Sequence, residues 1–172
     1  EDNNGKIHRM GLESIAAAQK LANGMSLSMG ALVMGANGDV LAEEASKYNV
    51  GEVLKINNEH LSSYSSDGYA ETVKQVIEQE NPTYVIFGHT YQVRDYAPKV
   101  SAKLMKPFLV DNVDVSTNEG NAVFTKQMFN AKLFSDVTPT GDGPYLISFQ
   151  SAAFSSEKTD LGSAAVRNCT VN

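Results

Sequence analysis

Apolar and polar positions change period several times along the chain, and each change marks an element. Residues 11–22 place Leu12, Ile15, Ala18, Leu21 and Ala22 on one side of a helix, with Asn23-Gly24 as its C-cap. Residues 26–34, above all Ala31-Leu32-Val33-Met34, form an apolar run without alternation, the pattern of a strand covered on both faces in a parallel sheet. A loop at Gly35-Ala36-Asn37-Gly38 leads to a short helix capped by Asp39 and reaching Tyr48, and Gly51 introduces a brief strand over 53–56. Residues 57–67 are a polar connection. The next helix starts near Asp67, buries Tyr69, Val73, Val76 and Ile77, and stops before Asn81-Pro82.

Residues 83–104 organise the rest. Thr83-Tyr84-Val85-Ile86-Phe87 is a β-branched and aromatic run that ends at Gly88, and an amphipathic segment with Ala97, Val100 and Leu104 at helical spacing follows. Pro98 has no amide hydrogen and is comfortable only in a first helical turn, which makes Asp95 the expected N-cap. Beyond Pro107 the spacing shortens. Residues 108–110 and 113–115 read as one bent strand, and 122–129, 131–137 and 145–149 as further strands, with turns at Asn118-Glu119-Gly120-Asn121 and Gly141-Asp142-Gly143-Pro144. Gaps this short hold no crossover helix, so these strands are expected to pair antiparallel.

The pattern predicts an α/β fold: a doubly wound, mainly parallel, Rossmann-like sheet with an antiparallel extension in the C-terminal third. Residues 1–150 form the domain, and 151–172, rich in Ser, Ala and Lys, form a tail or the start of a linker. A doubly wound sheet normally has a strand before its first helix, yet only polar residues precede this one. The expectation is that a first strand is missing, upstream of Glu1.

Composition narrows the partners. A net charge of −6 and a pI near 5.0, without a Lys/Arg-rich run, argue against nucleic acid. The 42% hydrophobic content supports a real core, while no apolar run approaches the roughly 18 residues of a membrane helix, so no membrane insertion is expected. Cys169 is the single cysteine, which excludes an intramolecular disulfide and fits a reducing compartment.

Candidate chemistry is sparse. His8, His60 and His89 lie in three different polar loops, without the spacing of a zinc site, and are read as solvated loop residues. Gly24-Met25-Ser26-Leu27-Ser28 lacks the second glycine of a nucleophile elbow, and the phosphate loops of nucleotide-binding motifs are absent. Two loops fall at the C-terminal edge of the sheet, 35–39 and 88–95, where open α/β folds bind ligands. Gly88-His89-Thr90 could present amides to a phosphate, with Thr90, Gln92 or Arg94 in reach, but Asp95 at the helix start would repel it. No catalytic, cofactor-binding or metal residue is therefore assigned, and the Gly88 turn is read as structural.

The run Gly88-His89-Thr90-Tyr91-Gln92-Val93-Arg94-Asp95-Tyr96-Ala97-Pro98-Lys99-Val100-Ser101-Ala102-Lys103-Leu104 resembles the signature segment of electron transfer flavoprotein alpha subunits. Arg94, Asp95, Pro98, Val100, Ala102 and Leu104 match it, whereas Val93 stands where glycine is usual and Lys99 where arginine is. Asp111 falls at the aspartate of the family's next short strand, and Met128-Phe129-Asn130-Ala131 resembles its aromatic, small-residue segment without the usual glycine.

The resemblance implies the N-terminal, adenine nucleotide alpha-hydrolase-like domain of that subunit. It implies FAD in the full-length protein, held mainly by a C-terminal domain beyond residue 172 and not by this stretch alone. It further implies a beta subunit that binds AMP and completes a heterodimer, and flavin dehydrogenases, such as the acyl-CoA dehydrogenases of fatty acid beta-oxidation, as electron donors. The role is that of an electron carrier rather than an enzyme, in the cytoplasm of a prokaryote or the mitochondrial matrix. The alternative is a stand-alone adenine-nucleotide-binding module of the universal-stress-protein type, using the loops at Gly35 and Gly88. An ATP-pyrophosphatase-like enzyme is disfavoured because its Ser-Gly-Gly-x-Asp loop is nowhere in the chain.

Overall fold

The computed structural model describes all 172 residues. Its elements run α1 (Arg9–Met25), β1 (Gly30–Met34), α2 (Gly38–Ala45), β2 (Glu52–Ile56), α3 (Ser66–Glu80), β3 (Tyr84–Gly88), α4 (Tyr91–Leu104), β4 (Phe108–Asn118), β5 (Asn121–Met128), β6 (Leu133–Val137), β7 (Tyr145–Phe149) and β8 (Ala165–Asn168). The α/β, Rossmann-like class expected from the hydrophobic pattern is the one observed. Helix α1 extends beyond its apolar stripe at both ends: the His8 imidazole accepts the Met10 amide at its start, and left-handed Ser26 ends it.

The strands form two sheets, ordered β1-β2-β8 and β3-β7-β4-β5-β6. The first is parallel throughout, and β7 is parallel to both β3 and β4. Only β4-β5 and β5-β6 are antiparallel; the first pair is closed by the turn that the sequence marks at Asn118-Glu119-Gly120-Asn121, the second by a turn over 129–132 that the sequence pattern assigns largely to strands. The expected antiparallel pairing of β7 is corrected here. The chain leaves β6 and travels back across the sheet, so β7 is inserted between β3 and β4 rather than added at the edge. All five of its residues are buried, and such a continuous apolar run suits an interior parallel strand.

Helices α1 and α2 cover one face, and α3 and α4 the other. Ala17 and Leu21 of α1 join Phe124, Ile147 and Phe149, while Ile15 packs on the cluster of Val33, Leu41 and Val53. Across the sheet, Val73 and Ile77 of α3 join Phe87, Val100 and Leu146, while Val76 packs with Leu54, Ile56 and Cys169. Helices α1 and α3 therefore each touch both sheets.

Residues 151–172 are packed onto the domain. Strand β8 extends the first sheet, Arg167 pairs with Glu52 and Glu80, and Cys169 is buried against the Gln79 side chain. Their low apolar content concealed this, because β8 is held chiefly by backbone pairing and charge.

Helix α4 begins four residues before Asp95. Thr90 is its N-cap, accepting the Val93 amide at 3.1 Å, and Pro98 lies inside the helix rather than in its first turn. The cap outweighs the proline: Pro98 forfeits one amide bond to the Arg94 carbonyl, but the apolar stripe of Val93, Tyr96, Ala97 and Val100 is buried as a unit.

Candidate functional site at the C-terminal edge of the sheet

Strand β3 delivers Gly88, His89 and Thr90 to this edge. Gly88 is required by packing, because a Cβ there would lie 2.9 Å from the Met10 carbonyl oxygen of α1. The His89 amide donates to the Phe149 carbonyl at 2.8 Å, continuing the β3-β7 ladder by one residue. Its imidazole Nδ1 lies 2.9 Å from the Ser148 hydroxyl, which also accepts the Asp111 amide at 3.1 Å. Burial holds the His89 pKa below its ordinary value; Asp111 opposes this, and Arg94 and Lys126 add to it.

Asp111 has a left-handed backbone (φ 61°) at the point where the β4 register slips. This bulge turns its amide towards Ser148. Its neighbour Asn112 is fully buried and donates to the Leu109 and Ser148 carbonyls, both at 2.9 Å. Ser148 and Asn112 thus complete a buried polar knot beneath His89 that the residue patterns did not reveal. The Asp111-Asn112 pair, which interrupts the apolar run between Phe108 and Val113, was the one signal of it.

Thr90 and Arg94, two of the three residues considered for a phosphate, are engaged within the fold. Thr90 is buried and its hydroxyl caps α4. Arg94 stacks on the Tyr91 ring, 5.6 Å from its centroid. Asp95 accepts the Tyr64 hydroxyl at 2.7 Å, which together with burial raises the Tyr64 pKa to about 12. In the 35–39 loop, Asp39 pairs with Lys55 at 2.5 Å, and Asn37 donates to Asp2 at 2.6 Å. A bonded acidic rim of Asp2, Asp39 and Asp95 surrounds the edge, with no free cluster of cations to offset a phosphate. The three histidines stand apart: His8 caps α1, His60 lies in a single 3-10 turn, and His89 meets Ser148.

The whole of residues 1–172 matches the family model described as the electron transfer flavoprotein domain. The chain belongs to the electron transfer flavoprotein domain family. Among its relatives, the electron transfer flavoprotein subunit alpha of Bacillus subtilis is 37% identical over 140 residues, covering 81% of this chain and 42% of that protein. The subunit alpha of Thermoanaerobacterium thermosaccharolyticum is 26% identical over 138 residues, covering 80% and 42%. That of Syntrophomonas wolfei is 26% identical over 142 residues, covering 83% and 44%. The chain thus spans less than half the length of these relatives. None of its helices is long and apolar enough to cross a membrane.

Electron transfer flavoproteins take their name from a flavin, and the residues here do not fit one. Thr90 takes the Val93 amide with its hydroxyl and the Arg94 amide with its carbonyl, the edge is acidic, and no glycine-rich turn leaves a row of amides pointing at a pyrophosphate. The sequence departs from the family pattern at the same place, where Val93 is the buried third residue of α4 instead of a glycine.

Proposed function

We propose that this chain is the N-terminal domain of an electron transfer flavoprotein alpha subunit and acts as a scaffold for the heterodimer with a beta subunit. The observation that carries the proposal is the end of the β5-β6 hairpin. Beyond the last β4-β5 pair, Asn112 with Lys126, the hairpin projects on its own. Met128 faces Leu133 on one side, Phe134 faces Gln127 on the other, and Phe129 stands at the turn, 70% exposed. An arm that is apolar on both faces is costly in water and suits a partner that grips it.

In this role residues 1–150 carry the partner surface, and 151–172 close the domain before the chain passes to a separate FAD-binding domain. The flavin there accepts electrons from dehydrogenases such as acyl-CoA dehydrogenases and passes them towards the respiratory chain. AMP belongs to the beta subunit, the setting is the cytoplasm or the mitochondrial matrix, and this domain contributes no catalytic group.

Replacing Phe129 and Phe134 together by serine tests the arm in the full-length subunit co-purified with its beta subunit. Association is expected to weaken at least about tenfold while the melting temperature of the domain stays within a few degrees. Unchanged association removes the scaffold reading. Calorimetry of the 172-residue chain with AMP tests the alternative, since micromolar binding favours a nucleotide module.

A further inference from the structure

Beneath His89 the hydrogen bonds of the buried knot close in two ways. Ser148 is fully buried, and its hydroxyl has one hydrogen and two lone pairs. The Asp111 amide, 3.1 Å away, takes one lone pair. The His89 Nδ1, 2.9 Å away, takes either the hydrogen or the second lone pair, according to whether that nitrogen carries a proton. With Nδ1 bare, Ser148 donates to it and is satisfied. With Nδ1 protonated, the imidazole donates to Ser148 instead, and the hydroxyl hydrogen needs another acceptor in a site closed to solvent.

The knot holds such an acceptor. Asn112 is fully buried, and its side-chain nitrogen already donates to the Leu109 and Ser148 carbonyls, both at 2.9 Å. Its Oδ1 has no donor. That oxygen belongs to the amide that touches Ser148, so a small displacement brings hydroxyl and oxygen together. The bulge supplies the play. Asp111 is left-handed, and the register slips on both sides of it, against β7 between Leu109 and Asn112 and against β5 between Asn112 and Asp114. Displacement here does not stay local. The Asn112 carbonyl accepts the Gln150 amide at 2.8 Å, and Asn112 with Lys126 is the last β4-β5 pair before the hairpin projects on its own.

Charges from three elements act on the imidazole. Arg94 of α4 and Lys126 of β5 resist its protonation, whereas Asp111 of β4 favours it. On α1, Arg9 and Glu13 pair with each other at 2.9 Å, and β7 presents the neutral Ser148. Burial adds to the resistance, so the proton binds on the acid side of the ordinary histidine value.

We propose that His89, Ser148 and Asn112 form a proton-operated latch on the β5-β6 hairpin: a proton taken up from solvent at His89 Nδ1 turns the Ser148 hydroxyl from the imidazole to Asn112 Oδ1, shifts the Asp111 bulge and loosens the rung between Asn112 and Lys126. By linkage, a partner that holds the hairpin in its unprotonated position lowers the proton affinity of His89. The latch itself is a property of this chain and does not depend on which partner the hairpin meets.

Nuclear magnetic resonance of the 172-residue chain, titrated from about pH 8 to about pH 5, tests the latch. Neutral His89 is expected to carry its hydrogen on Nε2, as read from the ring nitrogen shifts. The Asn112 side-chain amide signals are expected to move with the same midpoint as the imidazole. Across that midpoint, exchange protection over residues 124–128, corrected for the intrinsic pH dependence, should fall at least about tenfold while that of β2 is unchanged. His89→Gln should abolish both responses. Ser148→Ala should leave the imidazole titrating but uncouple it from residues 124–128; if that variant does not fold, the titration of the parent chain and His89→Gln decide. A neutral imidazole with its hydrogen on Nδ1 overturns the proposal. So do Asn112 signals that stay fixed while His89 titrates, as they would if a trapped water held Oδ1 at both ends of the range, and so does an unchanged pH response in either variant.

Discussion

Gly88 lies where β3 passes beneath α1, and its missing side chain is what lets the two backbones approach. Gly88→Ala places a Cβ 2.9 Å from the Met10 carbonyl oxygen and 3.0 Å from the Met10 Cβ, neither of which is a flexible side-chain end. It is expected to destabilise the domain by about 1–3 kcal/mol, measured by urea denaturation. At the hairpin turn the strain runs the other way. Phe129, Asn130 and Ala131 all have left-handed backbones, with φ between 52° and 62°. A side chain in that region costs about 1–2 kcal/mol, and glycine returns part of the gain as chain entropy. Ala131→Gly should therefore stabilise the domain by about 0.5–1 kcal/mol in the same assay. Next to the buried knot, His89 carries a pH dependence. Its folded pKa is depressed, so the unfolded state binds the proton more readily. The contribution is complete above the unfolded value of about 6.5 and is lost as pH falls through that value and the lower folded one. His89→Gln should flatten this acid-side loss between pH 8 and pH 5, as read from denaturation midpoints across that range. Gly88 was legible as a turn in the sequence. Its true partner, Met10, was not, because 78 positions of chain separate them and only packing brings them together.

Elements were more legible than their ends. Every helix announced by periodicity is present, and the bent strand over 108–115 is the bulged first part of β4. Helix α4 shows why the boundaries slip. Pro98 and Asp95 form a strong local start signal, but Thr90, also a good capping residue, lies where β3 ends and where the stripe from Val93 onward can be buried. Tertiary burial decided between two competing caps. The difference is measurable: Thr90→Ala should cost about 1 kcal/mol through loss of the cap. Asp95→Asn should cost less than about 0.5 kcal/mol, because Asp95 is exposed and its bond to Tyr64 survives in an amide oxygen. Equal losses in thermal denaturation would return the cap to Asp95. The pairing of β7 escaped for a different reason. Short connections do force neighbouring strands to be antiparallel, but the segment before β7 joins strands that are not neighbours, and sequence spacing carries no record of that.

At the scale of the whole molecule, the order of the strands makes the two ends of the sequence interdependent. Strand β2 would be an edge without β8, and β8 comes from the last eight residues. Its side chains contribute little apolar burial: all four β8 residues are exposed, and the attachment consists of backbone bonds, the Arg167 pairs to Glu52 and Glu80, and buried Cys169. Surface ion pairs of this kind are each worth about 0–1 kcal/mol, so the backbone ladder and the cover over Leu54 and Ile56 must carry most of the stabilisation. Arg167→Ala alone should accordingly lower the melting temperature by only a few degrees. Ending the chain at Ala164 removes the ladder, the ion pairs and Cys169 together, exposes the β2 edge, and should lower the melting temperature by at least about 8 °C. If residues 165–172 were only a solvated linker, that truncation would leave the melting temperature unchanged. The comparison separates a segment that completes the sheet from one that merely leads away from it.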